Sequence, residues 1–368
     1  MGQPTSRVII LGAGASAFAE YPLARDVLDF VQRRCQRADP TTKTTAGELI
    51  RKLRVWGGIL RNQIGEGWDL ETFLSVLELT ASSDKPGKQK RWTETDRWKL
   101  ARAITYAFED HQVRLKPVIL QASWSEGHEI KDVATRWANW IELGDTIISF
   151  NWDVLHEVIP WRAAKWSYLD GYGFRCPNAS SGIEASAVRI LKLHGSVNWV
   201  QEDEMQAPSL AFVDEFFPEK YPRTNYYPPI SPLRDNAMVS MLDSGRKLIL
   251  PTYFKDIPKN RALLNVWCAA QEALRTAKEI WVVGFSLNPA DHPARFLLAT
   301  ELTRNTQVQT VSIVDPRGVG EWAPFLQLAG KEPFTIQQTM CDWLRSIPLS
   351  DPFNPYPKSY SRFEGRVV

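Results

Sequence analysis

The chain has 368 residues, 44% of them hydrophobic and 23% charged, which are the proportions of an ordinary globular protein. This length accommodates one large domain, or a core domain that carries a sizeable insertion. The 44 Lys and Arg residues nearly balance the 42 Asp and Glu residues, and the net charge is +2. That balance gives no electrostatic reason to expect direct nucleic-acid binding, which needs a basic surface.

The cysteines argue against a zinc-binding protein, and the hydropathy pattern argues against a membrane-spanning or secreted one. Cys35, Cys176, Cys268 and Cys341 are widely separated and form no C-x-x-C pair, which argues against a cysteine-based zinc site. No window approaches the roughly 18 apolar residues of a membrane span, and the first residues lack the pattern of a secretory signal. We therefore expect a cytoplasmic protein without a membrane partner.

The first predicted element is a buried strand. Residues 7–11 form a short apolar run rich in β-branched side chains, and Gly12 closes it. After a glycine turn comes a helical pattern from Leu23 to Val31, with its apolar residues on one side. A strand, a glycine turn and a helix in this order open a doubly wound fold.

Helical signals dominate the next part of the chain, from about residue 40 to residue 143. We predict one helix capped by Asp69, a second from Thr95 to His111 and a third near Val133 to Leu143. Because no strand signal interrupts this stretch, it is predicted to be an insertion between the first strand–helix unit and the rest of the sheet.

Strand signals then return as short apolar runs, each followed by a turn or polar residue, at 146–150, 188–193, 247–250, 279–283 and 310–314. Helical stretches at 262–277 and 294–303 lie between some of these runs. Such alternation predicts an α/β fold of the Rossmann-like, doubly wound type, with a mainly parallel sheet and a large helical insertion.

The expected domain organisation is one domain over residues 1–345, followed by a C-terminal arm over 346–368. The Rossmann core would occupy about 1–38 and 145–345, and the helical insertion about 40–143. Two Pro-rich segments, 217–233 and 351–357, lack periodicity. They are interpreted as a lid and a docking tail, or as packed irregular surface.

Five residues that follow predicted strands point to a binding site. In a parallel sheet, ligands bind at the carboxyl ends of the strands. The residues found at such ends are Gly12, Asn151, His194, Gly284 and Asp315. We therefore expect them to meet at one edge of the sheet.

The segment Gly12-Ala-Gly-Ala-Ser-Ala17 fits the dinucleotide-binding pattern, with alanine in place of the third glycine. The glycines permit a tight turn and allow backbone N–H groups to approach a pyrophosphate at the helix N-terminus. A tight strand-to-helix turn without a ligand is the alternative.

A dehydrogenase would place an acidic residue about 20 positions after the glycine turn, at the end of a second strand. Helix continues there into Gln32-Arg-Arg34, which argues against a dehydrogenase.

Two polar residues at strand ends are candidates for catalysis. Asn151 is suited to positioning a ribose hydroxyl or a water, and its alternative role is to cap the helix that begins near Asp153. His194, followed by a glycine, is suited to general-base work near neutral pH, and its alternative is a structural histidine. Their placement at two strand ends of one sheet favours the catalytic interpretation.

Four segments together resemble the sirtuin superfamily, in the order found there: Gly-Ala-Gly-Ala-Ser at 12–16, Phe-Asn-Trp-Asp at 150–153, Leu-His-Gly-Ser at 193–196 and Gly-Phe-Ser at 284–286. The chain is similar in particular to the bacterial sirtuin-like branch, several members of which are anti-phage NAD hydrolases. The similar segments are scattered over about 1–30, 145–200 and 245–316. The helical insertion resembles that of the family only in its position and general character.

The resemblance implies that ten residues form an NAD site. It implies that the pyrophosphate is lined by Gly12, Gly14, Ala15 and Ser16, that the nicotinamide ribose region is held by Asn151 and Asp153, and that His194 is the base on a ribose hydroxyl or the attacking water. It places Gly284 and Ser286 at the adenosine ribose, and Asp315 near the adenine.

The implied activity is that of an NAD glycohydrolase, which cleaves its substrate NAD to nicotinamide and ADP-ribose without zinc. The resemblance further implies an effector of anti-phage defence by NAD depletion (abortive infection), a homo-oligomer, and a HerA-type ATPase as a possible partner. A non-catalytic sensor of NAD or ADP-ribose is the alternative.

Deacylase sirtuins carry a four-cysteine zinc module and the segment Gly-Ile-Pro-x-Phe-Arg. This chain has no such module, and it has Glu20-Tyr-Pro-Leu-Ala-Arg25 in place of that segment. Both departures argue against a deacylase.

Overall fold

The computed structural model describes residues 6–38, 40–64, 93–120, 129–168, 170–174, 188–200, 209–210, 260–289 and 291–347. The strands in these ranges are β1 (Arg7–Leu11), β2 (Thr146–Ser149), β3 (Arg189–Lys192), β4 (Trp199–Val200), β5 (Ser209–Leu210), β6 (Glu279–Val283), β7 (Thr310–Val314) and β8 (Pro333–Ile336). The helices are α1 (Val27–Cys35), α2 (Pro40–Ile64), α3 (Glu94–Leu120), α4 (Glu129–Trp140), α5 (Leu155–Arg162), α6 (Arg261–Thr276), α7 (His292–Arg304), α8 (Trp322–Leu328) and α9 (Met340–Ser346).

Within the described residues, six strands form one parallel sheet in the order β3-β2-β1-β6-β7-β8. The two short strands β4 and β5 form a separate antiparallel pair. The chain winds from β1 to β3 in one direction and from β6 to β8 in the other, so the winding reverses between β1 and β6. This arrangement, flanked by helices, confirms the predicted Rossmann-like α/β fold.

β1 is the central strand, and its sequence suits that place. Residues Val8 to Leu11 are all buried, as expected for a parallel strand that is covered on both faces. Ile9 lies opposite Ile147 of β2 on one side and Trp281 of β6 on the other. The β-branched side chains of this strand pack well on a pleated, fully buried surface.

Helices are the regular elements that the structure describes between β1 and β2. α3 covers the helix predicted over 95–111 and continues to Leu120, and α4 covers most of the third predicted helix. α3 packs against α1 in part through Phe108 and Phe30, whose rings meet edge-on at 5.4 Å. The predicted helix that begins at Asp69 lies outside the described residues.

The strands predicted over 7–11, 279–283 and 310–314 are confirmed with the same bounds, and those at 146–150 and 188–193 are confirmed in slightly shorter form. The predicted strand at 247–250 and both Pro-rich segments lie outside the described residues, as does the predicted C-terminal arm beyond residue 347. In the described part of the chain, none of the helices combines the length and the apolar character that crossing a membrane requires.

The helix predicted from Leu23 begins later than expected. Residues Ala13–Ala19 form a 3-10 helix, a second short one spans Ala24–Asp26, and α1 starts only at Val27. Glu20 between them adopts a left-handed conformation with φ 61°. Pro22 also lacks an N–H group and disfavours helical geometry in the residue before it, so a continuous helix cannot run through this segment.

His156 on α5 is a buried histidine that makes folding sensitive to acid. Its ring packs edge-on against Trp137 with the centroids 5.5 Å apart. Burial lowers the pKa of His156 from 6.5 to about 4, even though the nearby carboxylate of Asp153 acts in the opposite direction. The native chain therefore takes up a proton here only at a much lower pH than the unfolded chain.

Stability due to this group is present above pH 6.5 and is lost as the pH falls towards 4. We expect His156 to account for a loss of about 3 kcal/mol in the free energy of unfolding between pH 7 and pH 4. Urea unfolding at both pH values checks this, and His156→Leu should remove that part of the pH dependence. His292→Leu, at an exposed position, is the matched control. An unchanged pH dependence in His156→Leu would contradict the prediction.

Candidate active site

The turn after β1 packs directly against the turn after β6, where the winding of the sheet reverses. Gly14 donates its N–H to the carbonyl oxygen of Gly284 at 2.9 Å. A Cβ atom on Gly12 would lie 2.6 Å from the Cα of Phe285. A Cβ atom on Gly284, where φ is +58°, would lie 2.3 Å from the backbone nitrogen of Ala15. The contact between the two turns therefore requires glycine at these positions.

The backbone N–H groups of the first turn are partly used within the protein. Ala15 donates to the carbonyl of Gly12 at 2.9 Å, while the N–H of Gly14 is bonded to Gly284. The side chain of Ala15 is fully buried. A pyrophosphate at this turn would therefore have to be bound by donors other than the N–H groups of Gly14 and Ala15.

Asn151 connects the end of β2 to the glycine turn. Its Nδ2 donates to the carbonyl of Gly12 at 2.9 Å and to the hydroxyl of Ser16 at 3.0 Å. Because a carbonyl oxygen only accepts, the amide nitrogen must be the atom that faces Gly12. The hydroxyl of Ser16 donates in turn to Asp153 Oδ2 at 2.9 Å. Four of the predicted site residues thus form one buried chain of hydrogen bonds.

The alternative role of Asn151 as a helix cap is excluded by this arrangement. The side chain that bonds to the start of α5 is that of Asp153, whose Oδ1 accepts from the N–H of Leu155 at 3.0 Å. Asp153 therefore links the Ser16 hydroxyl to the start of α5. Asn151 also lines the cavity described below.

His194 lies just beyond β3 and is bonded to Asp291, just before α7. The distance from His194 Nε2 to Asp291 Oδ2 is 2.8 Å, and both side chains are buried. The other carboxylate oxygen of Asp291 accepts from the N–H of Ala294 at 3.2 Å and caps α7. Because the carboxylate accepts, Nε2 carries the hydrogen of this bond. Asp291 was not predicted as a site residue.

A buried ion pair lies beneath these residues. Lys192 Nζ is 2.8 Å from Glu157 Oε1, and both side chains are fully inaccessible to solvent. Lys192 also donates to the backbone carbonyl of Asp153. Burial raises the pKa of Glu157 to about 7, and the charge of Lys192 opposes that rise. The pair ties β3 to α5 directly below the Asn151 and Asp153 loop.

The polar residues open into one cavity of about 1360 Å³ at the carboxyl edge of the sheet. Small-molecule pockets commonly hold about 300–1,000 Å³, so this one has room for a dinucleotide. Nine of the ten predicted site residues line this cavity, and Ala15 does not. The nine are Gly12, Gly14, Ser16, Asn151, Asp153, His194, Gly284, Ser286 and Asp315.

The two ends of the cavity differ in character. At one end, the stacked rings of Phe150 and Phe285, 4.2 Å apart, lie beside His194 and form an apolar floor. At the other end, Asp315 follows β7 and is paired with Arg317, whose Nε and Nη2 donate to its two carboxylate oxygens at 3.0 Å each. The end with His194 is suited to chemistry, and the end with Asp315 to recognition of a polar group.

No model of a known protein family and no curated protein matches this chain. The resemblance to the sirtuin superfamily accordingly stays a prediction from the four motifs. Among the described residues, no group of three or more His, Cys, Asp or Glu side chains is arranged to hold a metal ion.

Replacing Gly284 by alanine tests the contact between the two turns. The left-handed backbone alone costs roughly 1–2 kcal/mol, and forcing a methyl group against Ala15 adds about 1–3 kcal/mol. Gly320→Ala is the matched control, because φ there is +46° and no atom lies within 4 Å of the added Cβ. Urea unfolding should therefore show a clearly larger loss for Gly284→Ala. Equal losses in both variants would show that the turns separate without cost.

Proposed function

We propose that this protein is an NAD glycohydrolase that converts NAD and water to nicotinamide and ADP-ribose. The observation that carries the proposal is the meeting of His194, its partner Asp291 and Asn151 in one cavity at the reversal point of a doubly wound sheet. Such reversal points are where nucleotides bind in this class of fold.

The reaction replaces one bond to the ribose carbon C1′ by another. Nicotinamide leaves with the electron pair of the broken bond and becomes neutral, and the oxygen of water bonds to C1′ while a proton is released. His194 would accept a proton through Nδ1, from a ribose hydroxyl or from the water. Asp291 would orient the imidazole and stabilise its protonated form, as a carboxylate does beside a catalytic histidine.

The remaining residues would bind and orient the substrate. The Nδ2 group of Asn151 is bonded to the glycine turn, which leaves its amide oxygen for a ribose hydroxyl or the water. The Phe150 and Phe285 rings would exclude bulk water from the reacting carbon. Gly284, Ser286 and Asp315 would contact the adenosine half, since they follow β6 and β7 on the far side of the reversal point.

The motif resemblance supports a wider proposal about biological role. Several bacterial sirtuin-like NAD hydrolases act in anti-phage defence, and we propose the same role here, through NAD depletion in the cytoplasm. A homo-oligomer and a HerA-type ATPase partner belong to this proposal and would supply a means of control.

The catalytic assignment is tested by measuring nicotinamide release from NAD by chromatography. We expect His194→Ala to lower the rate by at least about a hundredfold, since general-base catalysis contributes roughly 10²–10⁴-fold. Asp291→Asn should lower it as well, because it weakens the orientation of the imidazole. His292→Ala, next to Asp291 but outside the cavity lining, is the matched control and should keep the wild-type rate.

Two results would count against the proposal. A rate that is unchanged in both His194→Ala and Asn151→Ala would remove these residues from catalysis. NAD binding without nicotinamide release, with the ATPase partner present as well as absent, would favour a sensor of NAD or ADP-ribose instead.

A further inference from the structure

One wall of the cavity is a short segment between β1 and α1. We call residues 19–25 the wall segment. The cavity-lining residues in it are Glu20, Pro22, Leu23, Ala24 and Arg25. The left-handed conformation of Glu20 and the proline at position 22 prevent a regular helix here, so the position of the segment depends on contacts with other elements.

The two buried residues of the wall segment are both anchored to α3. The carbonyl oxygen of Ala19 accepts a hydrogen bond from His111 Nε2 at 2.7 Å. The hydroxyl of Tyr21 donates to Gln112 Oε1, and the Tyr21 ring meets the imidazole of His111 edge-on at 4.7 Å. Two adjacent residues of one helix therefore hold two positions of the wall.

The imidazole of His111 is bonded through both ring nitrogens. Arg34 on α1 faces Nδ1, and Ala19 faces Nε2. Because a guanidinium only donates and a carbonyl only accepts, Nε2 carries the hydrogen and the ring is neutral. Burial lowers the pKa of His111, and the charge of Arg34 lowers it further, which agrees with a neutral ring.

The same helix also reaches the end of the cavity that contains Asn151. Phe108 lies one turn before His111 on α3 and lines the cavity. Its ring packs edge-on against Trp152, the residue after Asn151, at 6.0 Å, and lies tilted against the Tyr21 ring at 5.6 Å. α3 therefore contacts both the wall segment and the Asn151 loop.

We propose that His111 and Gln112 are positioning residues that hold the wall segment in the place where it completes the NAD site. The identity of the ligand rests on the proposed function, whereas the anchoring does not. α3 belongs to the helical insertion, so the insertion contributes to substrate affinity through the wall segment. A force that moves α3 would change the wall of the cavity and leave the His194–Asp291 pair in place.

The experiment combines amide hydrogen exchange of residues 19–25 with steady-state kinetics on NAD. Tyr21→Phe removes one hydroxyl and keeps the ring, and a lost buried hydrogen bond is expected to speed exchange in the wall segment about tenfold. KM for NAD should rise by a similar factor while kcat stays within about twofold, since the catalytic pair is held by other elements. His111→Leu should act in the same way, and His111→Gln, which keeps a donor and an acceptor, should retain most of the protection.

Tyr172→Phe is the matched control. It removes another buried hydroxyl, which accepts from Asn198 at 3.2 Å and donates to Glu157 at 3.5 Å, and Tyr172 does not line the cavity. Exchange in the wall segment should stay at the wild-type rate in this variant. Wild-type exchange in both Tyr21→Phe and His111→Leu would overturn the anchoring, and a fall in kcat at constant KM would overturn the positioning role. If the wild-type protein does not cleave NAD, the proposed function fails, and the exchange data still decide the anchoring.

Discussion

The candidate site depends on the close contact between the turns that follow β1 and β6. Each turn has a glycine where a side chain would collide with the other backbone, most severely at Gly284. The contact places Phe285 against Phe150 and holds the carbonyl of Gly12 where Asn151 donates to it. The cavity floor and the orientation of the amide thus follow from two backbones that approach closely, and only residues without a Cβ allow that approach.

The sheet could be predicted from the sequence wherever a strand is buried on both faces. β1, β6 and β7 are mainly apolar runs rich in β-branched residues, and a glycine or polar residue follows each of them. β8 was missed because it is an edge strand that begins at a proline and exposes Phe334, so it lacks such a run. The late start of α1 was missed because hydrophobic periodicity does not distinguish the 3-10 turn at Ala24–Asp26 from the first turn of an α-helix.

The site, like the sheet, could be predicted only in part from the sequence. Asn151, His194 and Asp315 could be expected to share one edge, because the carboxyl ends of parallel strands meet there. Asp291 could be anticipated only as a helix cap, since its bond to His194 depends on how α7 is placed against β3. The glycine motif was ambiguous because phosphate binding and turn-to-turn packing both require the absence of a Cβ atom. The hydrogen bond from Gly14 to Gly284 shows that packing between the turns uses one of the N–H groups of this turn.

The position of β6 in the sheet has a consequence for biosynthesis. β1 is made first, yet one of its two neighbours is β6, which begins at Glu279. While the ribosome is still translating the middle of the chain, β1 has β2 beside it and an open edge on the other side. Pairing between such distant segments is slow and leaves apolar surface exposed in the meantime. The nascent polypeptide therefore has no complete cavity, and any activity of this site begins only after the last third of the chain has joined the sheet.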